Sequence, residues 1–281
     1  MREIHVSDII PEVKKLCIDA NLYINQDVVD KIKEGLEKES SRVGKNILQL
    51  ILKNHKKAAE EKMPLCQDTG VAIVFLEIGQ DVHIIGGNLT DAINEGVRQG
   101  YESGYLRKSI VKDPAVERIN TGDNTPAIIY TDTVPGSELK ITIIPKGGGA
   151  ENMSTVRMMK PADGIEGIKN FVVKHVIQSG GNPCPPVIVG VGIGGSFEQS
   201  ALLAKKALLK PLDEQNSDPS YAAAEVEILK RINKSGIGPQ GLGGRTTALA
   251  VSILQKPCHI ASLPVAVNIE CHCHRYKSIL I

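Results

Sequence analysis

Residues 63–70, MPLCQDTG, do more than any other stretch to restrict how this chain can fold. Pro64 stops the charged, helix-patterned run before it, because it lacks a backbone donor and its ring clashes with the preceding turn. Gly70 frees the backbone just ahead of the apolar run 71–78, a short segment bounded by turn residues that reads as a strand. Cys66, Gln67, Asp68 and Thr69 therefore lie on a loop that enters a strand. A thiolate there can bind a soft metal, while the amide and carboxylate beside it can hold a polar ligand or exchange a proton. A buried cysteine next to a turn would look the same in this octapeptide taken alone.

Upstream of Pro64 the pattern is helical, over 6–19, 25–40 and 43–62. In the third run Ile47, Leu48, Ile51 and Leu52 recur at helical spacing opposite Lys53, Lys56, Lys57, Glu60 and Glu61. Cys17 falls on the apolar side of the first helix and reads as core. Downstream, 71–78 and 82–85 flank a Gly79-Gln80-Asp81 turn and predict a hairpin feeding a helix over 89–106. Runs 127–134 and 138–145 predict a second hairpin around Pro135-Gly136. Helices follow over 164–178, 197–209 and 218–235, with strands over 246–254 and 263–269. The expected architecture is a mixed α/β single domain over 1–281. Its helical N-terminal part (1–62) packs on a mixed sheet in 63–281 whose ligand-bearing loops converge on one edge.

Charge and composition exclude several functions. Lysine and arginine total 33 against 32 acidic residues, so no global field attracts nucleic acid or an anionic membrane, and an anionic ligand needs a local site. With no tryptophan and three phenylalanines, platforms for base stacking are nearly excluded. No apolar run nears the roughly 20 residues of a membrane span. The N-terminus has no signal-peptide core, and a cytoplasmic protein is expected. Six scattered cysteines are too few for a disulfide scaffold in a chain of this size and are expected to be reduced thiols.

Other loops concentrate polar groups. Arg107 follows the helix ending near residue 106, where it can also serve the helix dipole, and residues 120–126, NTGDNTP, form a polar turn cluster. Residues 146–152, KGGGAEN, permit unusual dihedrals and close approach of a ligand to backbone amides. Cys184 is fixed among prolines in NPCPP. In GVGIGG, Gly190, Gly192 and Gly195 satisfy a dinucleotide fingerprint, but the acidic residue required at the end of a second strand is lacking; Asp213 and Glu214 lie in a polar loop after a helix. No P-loop lysine is present. Residues 236–245, GIGPQGLGGR, form a long glycine-rich loop with Gln240 and Arg245 as its polar groups. The terminal CHCHR run could suggest zinc, although a structural zinc site needs a second close ligand pair that the sequence lacks. Three isolated cysteines on three loops are what a [4Fe-4S] cluster with one open iron needs.

PLCQDTG, the Arg107 segment with NTGDNTPA, KGGGAEN, NPCPP, GLGGR and PVAVNIECHCHR, in that order from about residue 7 onward, resemble the alpha subunit of class I, iron-sulfur fumarate hydratase or of the related L-tartrate dehydratase. The resemblance implies a [4Fe-4S] cluster on Cys66, Cys184 and Cys271, with Cys17, Cys258 and Cys273 outside the ligand set. It implies substrate contacts at Gln67, Asp68, Arg107 and Gly149, with Asp68 and His259 as catalytic groups, His259 lying near the substrate carboxylates. Arg107 suits a carboxylate through its fork, and Gly149 offers a backbone amide. The implied activity is a tricarboxylic-acid-cycle hydro-lyase that interconverts (S)-malate with fumarate and water, the open iron acting as Lewis acid. The alternative is conversion of L-tartrate to oxaloacetate; a non-catalytic metal-binding sensor is the contrasting class. A separate beta subunit, in an α2β2 assembly, is expected to complete the site.

Overall fold

A computed structural model describes residues 1–281. In chain order the elements are β1 (Arg2–His5), α1 (Val6–Leu22), α2 (Gln26–Lys38), α3 (Arg42–Glu61), β2 (Val71–Gly79), β3 (Val82–Ile85), α4 (Leu89–Ser103), β4 (Ile128–Val134) and β5 (Leu139–Lys146). They continue with α5 (Gly148–Glu151), β6 (Thr155–Met159), α6 (Gly164–Ser179), β7 (Val187–Gly194), α7 (Phe197–Ala207), α8 (Pro219–Asn233), β8 (Ala248–Lys256), β9 (Leu263–Glu270) and β10 (Lys277–Leu280). The fold is mixed α/β, as the sequence predicts. No helix is long and apolar enough to cross a membrane.

The chain forms two compact units, one of Met1–Ile24, His55–Gly148 and Arg275–Ile281, the other of Asn25–Asn54 and Gly149–His274. The helical N-terminal part is therefore divided between units, and its first residues are a strand, β1, parallel to β3.

The first unit holds a four-stranded sheet in the order β10-β5-β2-β4. Neither expected hairpin forms. β2 and β3 do not pair, and β2 lies between β5, antiparallel, and β4, parallel, separating the two strands that flank Pro135-Gly136. Turn residues fix only where the chain bends; β2 offers a longer apolar surface to both strands than either offers the other. Helices α1 and α4 cover one face: Ile9, Val13, Leu16 and Cys17 with Ile93, Val97 and Tyr101 pack on Val74, Leu76, Ile141 and Ile143. The His5 ring caps α1 through the Ser7 N–H at 3.2 Å, and Asn88 caps α4 through the Asp91 N–H at 3.2 Å.

The second unit holds a sheet in the order β6-β9-β7-β8. β7 is buried along its whole length, which is why it reads as an unbroken apolar run. Val189, Val191 and Ile193 face α6 and α8 through Val172, Val176, Ile228 and Ile232. On the other face α7 lies directly on the strand. A Cβ at Gly190 would come 2.1 Å from the Ala204 carbonyl oxygen, and one at Gly192 would come 2.0 Å from that of Ser200. Two of the three glycines that imitate a dinucleotide fingerprint are thus required by helix-on-strand packing, and the third, Gly195, by its φ of +67°.

Candidate functional site

In the first unit Cys66, Gln67 and Asp68 form the loop that precedes β2; Gln67 is exposed, Cys66 and Asp68 half-buried. Val71 pairs with Lys146, so residues 147–148 leave β5 at the edge where this loop enters β2. The Asp68 carboxylate joins the two: Oδ1 accepts the Gly70 N–H at 3.0 Å and Oδ2 the Gly148 N–H at 2.8 Å. Gly70 adopts φ +70°, and a Cβ there would sit 2.5 Å from the Lys146 carbonyl carbon, so no other residue fits without displacing the β5 backbone.

Thr69, buried and not anticipated as a site residue, brings Arg107 to the same loop. Its Oγ1 accepts the Arg107 N–H at 2.9 Å and donates to the Arg107 carbonyl at 3.2 Å. The Arg107 residue itself is exposed. Tyr101, fully buried, places its hydroxyl 3.0 Å from the carbonyls of both Thr69 and Gly70, and burial holds its phenol well above the ordinary range. Asn124, also buried, donates to the Gly70 carbonyl at 3.2 Å and accepts the Ser109 N–H at 2.6 Å. The first unit therefore assembles Gln67, Asp68 and Arg107 on one rigid support.

In the second unit Cys184 and Cys271 share a sheet edge, because Cys184 precedes β7, Cys271 follows β9, and Ile188 pairs with Glu270. The His272 N–H approaches the Cys184 carbonyl at 3.5 Å. Cys184 is exposed and adopts φ +56°, a conformation that costs a non-glycine residue about 1–3 kcal/mol and persists where the surroundings impose it. Here the imposing groups are visible. Gln240 donates to the Pro185 carbonyl through its backbone N–H at 2.7 Å and its side-chain amide at 3.0 Å. The glycine-rich loop that carries Gln240 is gripped in turn by Glu39, whose carboxylate accepts the N–H groups of Arg245 at 2.8 Å and Thr246 at 2.9 Å along with those of Ser40 and Ser41, each at 2.9 Å. Burial alone would raise the Glu39 carboxyl; the backbone donors from Ser41, Thr246 and Arg245 outweigh it and hold the group below the usual carboxylate range.

Gly149 opens the second unit, exposed in the single turn α5 and ahead of β6, whose Thr155 pairs with Val267. It too lies toward the Cys271 end of the sheet. Residues 147–149 avoid the left-handed dihedrals expected of a glycine run. Beyond them, Glu151 accepts from Lys205 at 2.5 Å and from Asn268 at 3.1 Å, fastening the segment to α7 and β9.

His259 lies elsewhere in the second unit. It is exposed in the turn between β8 and β9, and the Gly195 N–H donates to the Pro257 carbonyl at 3.2 Å, so this turn lies at the end of β7 opposite Cys184. The eight residues of β9 carry the chain about 26 Å from one end to the other. The second unit does not bring His259 to Cys184 and Cys271.

No cysteine is in a disulfide. Cys17 is fully buried in the first core, its thiol pushed up to about 12 by burial, which makes it a packing residue. Cys273 is buried, and Cys258 sits beside His259 with its thiol on the Ser262 carbonyl at 3.3 Å. Cys184 and Cys271 are accessible thiols at the end of the second unit's sheet where β7 begins and β9 ends, and Cys66 is the loop thiol of the first unit. These side chains suit an iron-sulfur group chemically, since thiolates on loops are its usual ligands.

Residues 10–279 match the family described as Fumarate hydratase (Fumerase). A Methanocaldococcus jannaschii protein provisionally named as subunit alpha of L(+)-tartrate dehydratase is 44% identical over 274 residues, covering 96% of this chain and 95% of the relative. The L(+)-tartrate dehydratase subunit alpha of Escherichia coli O157:H7 is 33% identical over 259 residues, covering 91% and 84% respectively. That of Escherichia coli K12 is 32% identical over the same length. The chain therefore belongs to the fumarate hydratase family, among the hydro-lyase alpha subunits of fumarate hydratase and tartrate dehydratase.

Proposed function

We propose that this chain is the alpha subunit of an iron-sulfur hydro-lyase that interconverts (S)-malate with fumarate and water. The observation that carries this reading is the fastening of Asp68, next but one to Cys66, between the N–H groups of Gly70 and Gly148, on the support that also holds Arg107. Cys66, Cys184 and Cys271 would hold a [4Fe-4S] cluster. That group supplies, when bound, a Lewis-acidic iron that makes hydroxide a better leaving group.

The chain's own residues do the rest. Arg107, exposed on a fixed backbone, binds a substrate carboxylate through its guanidinium fork. Gln67 donates to a second substrate oxygen, and the Gly149 N–H offers a further donor. In dehydration the C–O bond of malate breaks, the neighbouring carbon gives up its proton and the electron pair of that C–H bond forms the double bond; Asp68 exchanges a proton with the reacting groups. No net oxidation occurs. A beta subunit, in a cytoplasmic α2β2 assembly, completes the site.

A second reading, dehydration of L(+)-tartrate to oxaloacetate, is favoured by the names of the relatives. Both substrates are C4 dicarboxylates in which the leaving hydroxyl sits on the carbon next to the one that gives up its proton. The test is to reconstitute the co-expressed pair anaerobically and screen both. The expected result is a brown protein with about four irons that forms fumarate from malate. Oxaloacetate from tartrate alone selects the second reading, and an iron-loaded pair inert toward both removes the hydro-lyase assignment.

A further inference from the structure

Arg275 lies just beyond the terminal cysteine-histidine run and is only 3% exposed. Its Nη2 donates to the backbone carbonyl of Asp68 at 2.8 Å, and its Nε donates to Asn21 Oδ1 at 3.2 Å. Asn21 is fully buried in the last turn of α1. Its Nδ2 donates to the Cys17 carbonyl at 2.9 Å, and its own carbonyl accepts the Leu65 N–H at 2.9 Å. The last turn of α1, the loop from Leu65 to Asp68 and the Arg275 guanidinium are thus one hydrogen-bonded set within the first unit.

The bond to Asp68 falls at a telling place. Residues 66–70 belong to neither helix nor strand, so no ladder fixes their peptide planes. The carbonyl that Arg275 holds belongs to the peptide joining Asp68 to Thr69. On one side of that peptide is the carboxylate gripped by Gly70 and Gly148, and on the other is the hydroxyl that grips the Arg107 backbone. Fixing this one plane sets the direction of both. A charge-assisted donor is roughly twice as strong as a neutral one, and a planar guanidinium fixes direction as an ammonium does not.

We propose that Arg275, oriented by Asn21, is a positioning residue for the reaction: it sets the Asp68–Thr69 peptide plane and so aligns Asp68 with Arg107 for the dicarboxylate substrate. The inference rests on the proposed function and extends it to residues outside the substrate's reach. A displacement of 1 Å can cost about 10²-fold in rate, so the effect belongs in kcat.

The test compares Arg275→Lys, Arg275→Gln and Asn21→Ser with wild type in the anaerobically assembled pair. It measures kcat per bound iron, KM, and hydrogen exchange of the peptide covering residues 63–70 in the full chain. In Arg275→Lys, kcat should fall about tenfold or more while KM stays within about threefold. Arg275→Gln should fall further and Asn21→Ser less. Exchange in 63–70 should rise several-fold, with β7 unchanged. A kcat within about twofold of wild type in both Arg275 variants, or exchange raised across the whole chain, overturns the proposal. If Arg275→Lys fails to fold, Asn21→Ser decides by the same two readouts. An inert wild-type pair refutes the hydro-lyase reading, while the local exchange result still judges the tether.

Discussion

Asp68 and Gly148, 80 positions apart in sequence, meet through a 2.8 Å hydrogen bond from the Gly148 N–H to Asp68 Oδ2. A carboxylate held this way has a fixed direction before any substrate arrives. Substituting Asp68→Asn keeps the shape and one acceptor oxygen but removes the exchangeable charge. Turnover of the assembled pair should fall by about 10²- to 10⁴-fold with iron content unchanged. A variant that loses iron and activity in parallel would assign Asp68 to cluster retention instead.

Gly70→Ala tests the junction of β2 and β5. The added methyl must displace the Lys146 backbone, 2.5 Å away, and alanine must adopt φ +70°. Loss of about 1–3 kcal/mol of stability is expected, read as a lower urea midpoint with the denaturant slope unchanged.

The Glu39 grip on the glycine-rich loop gives a pH-dependent term. Its folded carboxyl lies below the usual range, so its stabilisation is complete above the unfolded value, about pH 4, and is lost as pH falls through the folded one. Glu39→Gln turns an amide donor toward backbone N–H groups and should cost about 1–3 kcal/mol at neutral pH. The difference in urea midpoint between wild type and variant should shrink below about pH 4. A difference that stays constant down to pH 3 would refute the carboxylate's role.

Alkylation followed by peptide mass spectrometry should separate the thiols. In the iron-free chain at pH 8, Cys184 and Cys258 are exposed and should label first. Cys17, with its thiol pushed up to about 12 and no exposure, should label only on unfolding. Iron loading should then protect Cys184 and leave Cys258 reactive. Equal protection of both would argue against the proposed ligand set.

Much of this was legible in the residues. The three N-terminal helices, the loop positions of Cys66 and Cys184, and the core position of Cys17 follow from punctuation and periodicity, which are local properties. The hairpins failed because strand pairing is not local: β3 pairs with β1, and β2 inserts between β4 and β5. His259 stands twelve positions before Cys271, yet β9 carries the chain across the sheet between them, a separation that sequence proximity conceals. Glu39, Asn21 and Arg275 read as ordinary polar residues, because their partners are largely backbone groups and every residue type carries those. KGGGAEN reads as a run that needs glycine, yet residues 147–149 take no left-handed dihedrals and a Cβ at Gly147 would meet Asp68 Oδ2 at 3.4 Å, an ordinary contact.

The tether from Arg275 to Asp68 spans 207 positions. During synthesis at about 5–20 residues per second, the Cys66 loop leaves the ribosome roughly 10 to 40 s before the group that sets its final shape. Over that interval the nascent thiol stands in an unfinished setting, open to oxidants and to stray metal ions. The loop that carries Cys66 can therefore take its final form only once translation has passed Arg275.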